Sequence, residues 1–528
     1  MTERSEAETG GTAEKAGRRE WVGLAVLALA CLLYAMDLTV LHLAVPRLSA
    51  DLRPSSTELL WIIDIYGFLV AGSLITMGTL GDRIGRRRLL MIGAGAFGVA
   101  SLVAAFSTSP GMLIASRAFM GVAGATLAPS TLSLIFNMFE DPKQRSVAVG
   151  IWIASFSAGG AIGPVAGGVL LERFWWGSVF LLALPVMAAL LLLGPRVLPE
   201  YRDPNAGRLD LTSAALSLAA ILAVIYGLKQ LAIEGFGVVP GLSILAGMAL
   251  ALLFVLRQVR LKDPLIDLRL FRIPVFSASL TTYLLSIFVA FGFFLFVAQY
   301  LQLVLGLSPL EAGLWSLPSG AGFIVGSLLA PQIIHRFRPA AVMSSGLTVA
   351  ALGLLGLTQV GGPNSLTVIL LSIGVTSLAL APVITLATEL VVGSAPPERA
   401  GAASGISETS AELGGALGIA VLGSIGTAIY RNDMATRLPE GVPAAAAESA
   451  QDTLGGAVSV AARLPDELGD TLLDVAQAAF TRGLRVTTAI AAVVAVAVAI
   501  LAAAMLRGVR GRSERLPGAI APEPAPEA

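Results

Sequence analysis

Five acidic residues and one arginine lie within long apolar segments of this 528-residue chain, where an ionised side chain is costly and usually functional. They are Asp37, Asp64, Arg117, Glu389, Glu408 and Glu412. On a helix, Glu408 and Glu412 share one face because they are four residues apart. Two carboxylates on one face in a low dielectric cannot both ionise cheaply, so at least one is expected to bind a proton. Such a set suits reversible protonation and the binding of cations.

Arg117 is the one basic residue inside an apolar segment, and it is the natural counter-charge for Asp37. Two interpretations stay open for this pair. It is a static buried ion pair, or it is a proton relay, because breaking the pair changes how readily the acid binds a proton. Glu389 lies near the end of its segment, and we expect it to pair with an arginine outside that segment.

The composition excludes an ordinary soluble protein. Apolar residues make up 55% of the chain, charged residues make up 13%, and the mean hydropathy is +0.81. Apolar runs of 18 or more residues recur along the chain, and each can cross a bilayer as a helix. The 35 basic and 35 acidic residues balance, so nothing indicates a nucleic-acid partner.

Other reactive chemistry is sparse. The single cysteine, Cys31, excludes an intramolecular disulfide and a cysteine-ligated metal site. His42 and His335 are isolated, so no metal site is expected. A phosphate-binding loop of the form G-x-x-x-x-G-K-[ST] is absent from the sequence, so we expect neither direct use of ATP nor a cofactor.

The periodicity of apolar runs predicts an all-α integral membrane protein with fourteen helices. If the N-terminus is cytoplasmic, 25 of the 35 lysines and arginines lie on the cytoplasmic side and nine lie outside, in agreement with the positive-inside rule. Both termini are therefore predicted to be cytoplasmic, in a bacterial cytoplasmic membrane. The predicted helices span 22–46, 59–80, 88–107, 112–136, 146–170, 176–195, 210–230, 237–256, 275–304, 310–334, 340–358, 365–392, 400–430 and 485–506.

The chain also repeats itself. At an offset of 255 residues, Gly150, Gly159, Gly160, Gly163 and Gly168 recur as Gly405, Gly414, Gly415, Gly418 and Gly423. At an offset of 254 residues, Trp61, Gly72, Ser73 and Leu74 recur as Trp315, Gly326, Ser327 and Leu328. Two parallel six-helix halves are therefore predicted, with a substrate site between them near the middle of the membrane.

The chain is predicted to have two halves, an inserted hairpin and two disordered cytoplasmic tails. The long external segment, 431–484, carries seven acids. We interpret this segment as a linker that can hold short amphipathic helices, because 471–482 is compatible with a helix; an acidic funnel that concentrates cations is the alternative. The predicted parts are a tail (1–21), an N-terminal half (22–198), a two-helix hairpin with its linkers (199–273), a C-terminal half that includes the external segment (274–506) and a second tail (507–528).

Four features connect the chain to a known family: three motifs and the set of acids in the other helices, Asp64, Glu389, Glu408 and Glu412. A basic turn reads G-x-L-x-D-R-x-G-R-R-R at 78–88, a glycine motif reads G-x-x-x-G-P-x-x-G-G at 159–168, and the first helix reads D-x-T-x-x-x-x-A-x-P at 37–46. Over essentially its whole length, the chain resembles the fourteen-span drug:proton antiporters of the major facilitator superfamily. In that resemblance Arg117 corresponds to the arginine of the fourth helix.

The resemblance implies a pump that exports lipophilic cationic drugs in exchange for protons, driven by the proton gradient and without a cofactor. Quaternary ammonium compounds, dyes and fluoroquinolones are the candidate substrates, and the lipid bilayer is the remaining partner of a monomeric protein. Proton coupling and substrate binding would fall to Asp37, Asp64, Arg117, Glu408 and Glu412. Gating would fall to Asp82, Arg83, Gly85 and Arg86, and the antiporter helix would use Gly159, Gly163, Pro164, Gly167 and Gly168.

Aromatic residues beside the acids would complete a cation pocket through cation–π attraction. The candidates are Trp61, Tyr66, Phe291 and Tyr300, and contact with lipid or packing is the more common role for any one of them. Two other functions stay open. A dedicated exporter of one antibiotic or metabolite would share every motif, whereas a polytopic membrane enzyme would need a catalytic cluster that the short loops do not offer.

Overall fold

The computed structural model describes residues 15–202, 210–234, 237–261, 264–266, 268–394 and 400–508. The described part of the chain is almost entirely helical and contains no strand. The greater part of both predicted tails falls outside it. The α-helices are α1 (Arg18–Leu52), α2 (Ser56–Ile84), α3 (Arg86–Ala105), α4 (Pro110–Gly124), α5 (Leu127–Met138), α6 (Pro142–Arg173), α7 (Ser178–Leu181), α8 (Ala183–Val197), α9 (Leu211–Glu234), α10 (Val238–Arg260), α11 (Pro274–Gly292), α12 (Phe294–Gln299), α13 (Pro309–Trp315), α14 (Leu317–Arg336), α15 (Pro339–Gly356), α16 (Ser365–Gly393), α17 (Ala400–Arg437), α18 (Ala444–Asp452), α19 (Leu454–Ala461) and α20 (Asp466–Met505).

These helices make up to fourteen membrane crossings, as the sequence predicts. Thirteen helices or helix pairs are long and apolar enough to span a bilayer, and α6 supplies the fourteenth crossing. α6 bends by 41° near Pro164, because a proline ring clashes with the carbonyl four residues before it. Four crossings are broken pairs: α4 with α5, α7 with α8, α11 with α12, and α13 with α14. The predicted all-α membrane fold is confirmed.

The two halves pack their helices in the same way. Gly159 of α6 lies against the backbone of α1, where an added Cβ would meet the carbonyl of Leu32. Gly414 of α17 lies against the backbone of α11 in the same manner, at Leu284. Four residues later in each pair, Gly163 and Gly418 repeat the contact. Glycines at this four-residue spacing let two helix backbones touch. The sequence repeat therefore corresponds to two equivalent helix pairs.

Fourteen crossings leave both ends of the described chain on one side of the membrane, the terminal side; the opposite side is the loop side. On the loop side the halves meet through equivalent contacts. Gly168 of α6 lies against Pro309 and Leu310 at the start of α13, and Gly423 of α17 lies against Leu60 at the start of α2. Since α2 and α13 begin equivalent crossings, the two contacts follow the pseudo-symmetry of the repeat.

The inserted hairpin, α9 and α10, is closed on the terminal side by an ion pair. Arg257 of α10 donates a hydrogen bond to Asp210 at 2.9 Å, and Ser213 of α9 donates its backbone N–H to the same carboxylate at 3.0 Å. Burial opposes ionisation of Asp210, but the hydrogen bonds from Arg257 and Ser213 outweigh it and lower the pKa of this carboxyl. The pair holds the two antiparallel helices together at their base.

α9 packs along the seam between the two halves. Leu218 of α9 contacts Gly72 of α2. Farther along α9, Ile225 is buried in a cluster with Phe68 of α2 and Ala416 of α17. One inserted helix thus touches a helix of each half and covers the lipid-facing side of their contact.

The segment 431–484 is largely helical, which confirms the expected short helices, and the predicted helical stretch 471–482 lies within α20. α18 and α19 lie within it, and the last crossing helix, α20, begins at Asp466 rather than at 485. Arg431 at the end of α17 pairs with Asp452 of α18 at 3.1 Å and donates to Ser56 of α2 at 3.1 Å. This arginine links the second half, the loop-side helices and the first half. The acidic funnel stays a prediction.

Adjacent glycines of α6 offer a matched test of the packing. Gly159→Ala is expected to destabilise the protein by about 1–3 kcal/mol, because its Cβ collides with the α1 backbone. Gly160→Ala is the control, because an added Cβ there meets nothing within 4 Å. Thermal unfolding of both purified variants in detergent measures the difference. Equal melting temperatures would contradict the described backbone contact.

Candidate functional site

A cavity of about 190 Å³ lies between the two halves. Helices α1, α2 and α4 line it from the first half, and α11 and α17 line it from the second. Its wall combines ionisable side chains with a larger apolar surface. The ionisable residues are His42, Asp64, Arg117 and Glu412, and the large apolar residues are Leu38, Leu41, Ile63, Ile287, Phe291 and Ile419.

Arg117 is 2% exposed and is held from several sides. Its Nη1 donates to the Asp37 carboxylate at 2.5 Å, and its Nε donates to the carbonyl of Ile62 at 3.2 Å. Its guanidinium lies 4.6 Å from the ring centroid of Tyr66 and 5.9 Å from that of Phe180. A guanidinium keeps its charge in proteins, so these contacts fix a permanent positive charge at the cavity wall. The structure places Asp37 and Arg117 together; a relay or a static role stays a prediction.

A tyrosine connects this ion pair to the other half. Tyr34 of α1 donates its hydroxyl to Glu412 of α17 at 2.6 Å. The ring of Tyr34 lies 6.2 Å from that of Tyr66, which in turn lies under Arg117. A continuous path of polar and aromatic contacts therefore runs from Asp37 in the first half to Glu412 in the second.

The predicted acids occupy different positions. Asp64 is 1% exposed and lines the cavity together with Glu412. Glu408 is partly buried one helical turn before Glu412, and it is not among the described residues that line the cavity. Glu389 is exposed on α16. Asp64 and Glu412 therefore face the same space from opposite halves, with Asp37 behind Arg117.

One of the four predicted aromatic residues lines the cavity. Phe291 lies in its wall, whereas Tyr66 supports Arg117 from behind. Trp61 and Tyr300 do not occur among the lining residues that the structure describes. Trp61 instead packs on the apolar cluster that α9 shares with α2 and α17, and Tyr300 is 1% exposed in a π-helical turn. The inserted hairpin offers Trp61 an apolar surface that the helix pattern alone does not reveal.

The basic turn contacts its own half. The side chain of Asp82 lies outside the described part of the chain. Gly85 has a φ of 110°, which residues with a side chain rarely adopt. The Arg86 backbone N–H donates to the carbonyl of Tyr201 at 2.9 Å, and Arg87 pairs with Glu200 at 3.5 Å. Arg83 is exposed at the end of α2. The predicted gating role of these residues stays a prediction.

The glycine motif of α6 contacts both halves. Gly167 continues the row that packs on α1, where it meets Val40. Gly313 of α13 lies against the carbonyl of Pro164, one turn before the contact at Gly168. Two rows with a four-residue spacing thus lie on one helix, one toward α1 and the other toward α13. The antiporter role of this helix stays a prediction.

Sequence reasoning missed two residues of the site, Tyr34 and His42. Tyr34 precedes Asp37 by three residues, and that spacing on a helix was a usable signal. The sequence predicts an isolated His42, yet this residue lines the same cavity as Arg117. Nothing in its local sequence indicates this neighbour, because Arg117 lies on another helix.

Two packed helical halves with charged groups in a cavity between them define a membrane transporter. A profile of the Major Facilitator Superfamily matches residues 27–419, and the chain belongs to that superfamily. It is a multi-pass membrane protein and not an enzyme.

Curated relatives and solved structures agree with this assignment. The chain is 44% identical to "Multidrug efflux pump LfrA" of Mycolicibacterium smegmatis, over 94% of this chain and 97% of the relative. It is 36% identical to "Methyl viologen resistance protein SmvA" of Salmonella typhimurium, over 88% and 93%. The "Tetracenomycin C resistance and export protein" of Streptomyces glaucescens is 34% identical, over 92% and 91%. A bacterial homologue of the lysosomal transporter Spinster has a similar fold, with a TM-score of 0.66 at 18% identity, over 93% of this chain and 98% of that one.

The buried ion pair allows an asymmetric stability test. Asp37→Leu leaves a buried arginine that cannot lose its proton, so the free energy of unfolding is expected to fall by about 3–5 kcal/mol. Arg117→Met leaves a carboxyl group that can take up a proton. This variant is therefore expected to lose less unfolding free energy than Asp37→Leu. The double variant should recover stability relative to Asp37→Leu. Thermal unfolding in detergent measures all three, and an Arg117→Met protein less stable than Asp37→Leu would contradict this account.

Proposed function

We propose that this protein exports lipophilic cations across the cytoplasmic membrane in exchange for protons. One observation carries the proposal: a cavity between the halves presents Asp64 from the first half and Glu412 from the second within an apolar wall. Carboxylates attract cations and also bind protons, while the apolar wall suits the lipophilic part of a drug. Arg117 already has a carboxylate partner in Asp37, so the cavity favours cations over anions.

Competition for the same carboxylates would couple the two fluxes. When the cavity faces the outside, proton binding to the acids releases the cation. When the cavity faces the cytoplasm, the acids lose their protons and bind the next cation. The hydrogen bond from Tyr34 to Glu412 crosses between the halves, so the protonation state of Glu412 would bear directly on how tightly the halves hold together.

The size of the cavity requires movement of the halves. About 190 Å³ is smaller than the roughly 300–1,000 Å³ typical of sites for drug-sized ligands. A drug can therefore enter only if the halves part on one side. The contacts at Gly168 and Gly423 lie on the loop side of the cavity, and their parting would open it there while the site itself stays in place.

The names of the relatives support a cationic substrate. LfrA is named a multidrug efflux pump, and SmvA is named for resistance to methyl viologen, which is an aromatic dication. We propose the same class for this chain, with quaternary ammonium compounds, dyes and fluoroquinolones as candidates. The excess of basic residues on the terminal side supports cytoplasmic termini. We further propose that the proton gradient alone drives a monomer.

A dedicated exporter of one antibiotic is the second candidate. A relative named for tetracenomycin C resistance and export is 34% identical over most of both chains, so this branch of the superfamily includes proteins named for one antibiotic. Competition between structurally unrelated cations separates the two candidates. A multidrug pump is inhibited by many of them, whereas a dedicated exporter responds to one chemical scaffold.

Ethidium accumulation in proteoliposomes with an acidic lumen tests the proposal. Wild-type protein should accumulate ethidium only while the pH gradient lasts, and Glu412→Gln should lose this accumulation because the variant cannot exchange a proton for the cation. Glu389→Gln is the control, since Glu389 is exposed on α16. Glu408→Gln should have a weaker effect than Glu412→Gln, since Glu408 lies one turn away from the lining residues. Gradient-driven accumulation that Glu412→Gln retains in full would refute the assigned role.

Asp64→Asn should weaken the transport of dications more than that of monocations. At equal distance, the attraction lost with one carboxylate is about twice as large for a divalent cation. Methyl viologen and tetraphenylphosphonium transport by the same vesicles gives the comparison. An equal loss for both cations would show that Asp64 acts through the fold or the proton, and not through the charge of the substrate.

A further inference from the structure

His42 lies in the cavity wall with no hydrogen-bond partner among the described residues. It is 3% exposed, and neither of its two ring nitrogens has a partner in that part of the protein. A buried polar group without a partner lowers the stability of the fold, and an aliphatic side chain would fill the same space without that loss. A histidine at this place therefore needs an explanation, and a transported ligand supplies one.

The composition of the wall limits what that ligand contact can be. Asp64 and Glu412 respond to the charge of a ligand, and the aliphatic residues with Phe291 respond to its apolar surface. Among the described residues of the cavity, His42 is the one hydrogen-bonding side chain that is neither a carboxylic acid nor a guanidinium. A second positive charge beside Arg117 would be unfavourable, which favours a neutral imidazole with one donor and one acceptor nitrogen.

The geometry points to His42 as the residue that selects among cations of equal charge, in favour of those with a hydrogen-bonding substituent such as an aromatic amine. This inference rests on the proposed export of lipophilic cations. Charge and lipophilicity admit a broad class of substrates, and His42 then favours members whose N–H group can pair with its acceptor nitrogen. A site with a buried hydrogen-bonding group discriminates against ligands that leave the group unpaired.

Two cations of equal charge test the assignment. Ethidium carries two aromatic amino groups, whereas tetraphenylphosphonium has no hydrogen-bonding group. His42→Leu removes the donor and the acceptor, and His42→Gln retains one of each. In proteoliposomes, His42→Leu should raise the half-saturating ethidium concentration by about three- to tenfold, the equivalent of one neutral hydrogen bond. Transport of tetraphenylphosphonium should stay unchanged, and His42→Gln should restore much of the ethidium affinity.

The alternative outcomes are separable. A parallel loss of both cations in His42→Leu would assign His42 to folding or coupling, and no change in either would remove it from the ligand site. Wild-type protein that transports neither cation would refute the proposed function instead. In that case, equilibrium binding of the same two cations to the purified variants still decides whether His42 discriminates between them.

Discussion

The guanidinium of Arg117 cannot lose its charge, and the centre of the protein is arranged around this constraint. Asp37 balances the charge, Ile62 accepts a further hydrogen bond, and Tyr66 and Phe180 cover the group with their rings. These partners come from different helices of the first half, so the buried charge fixes how those helices meet. The cavity and its carboxylates then lie directly beside this centre.

Backbone contacts at glycines determine how the halves are built and how they meet. A helix pair joined at glycines has little side-chain volume between its backbones, so the two helices of the pair pack closely within each half. The same two helices, α6 and α17, also supply the contacts between halves at Gly168 and Gly423. Halves that meet along paired helices suit rocking movements around a central site, and α9 spans the same seam on the lipid side.

Much of the fold follows from the sequence because a bilayer permits few solutions. Apolar length predicts the crossings, and the internal offset predicts the equivalent helix pairs. Asp37 and Arg117 could be paired because a bilayer leaves a buried charge few possible partners. Within 431–484 the sequence predicts short helices but not all of their bounds, because the segment lacks the long apolar runs that mark a crossing. The packing of Trp61 on the cluster that includes Ile225 of α9 could not be read from the sequence, because α9 is distant in the chain.

The sequence by itself determined the membrane class, the two repeated halves and the set of buried charges, because hydrophobic length, glycine spacing and the cost of ionisation are local properties. Only the tertiary structure decided which of these charges share a space. Tyr34 binds Glu412 across 378 positions of the chain, and His42 shares a cavity wall with Arg117 of a different helix. Such meetings depend on how helices rotate and cross when they pack, and no local pattern encodes that rotation.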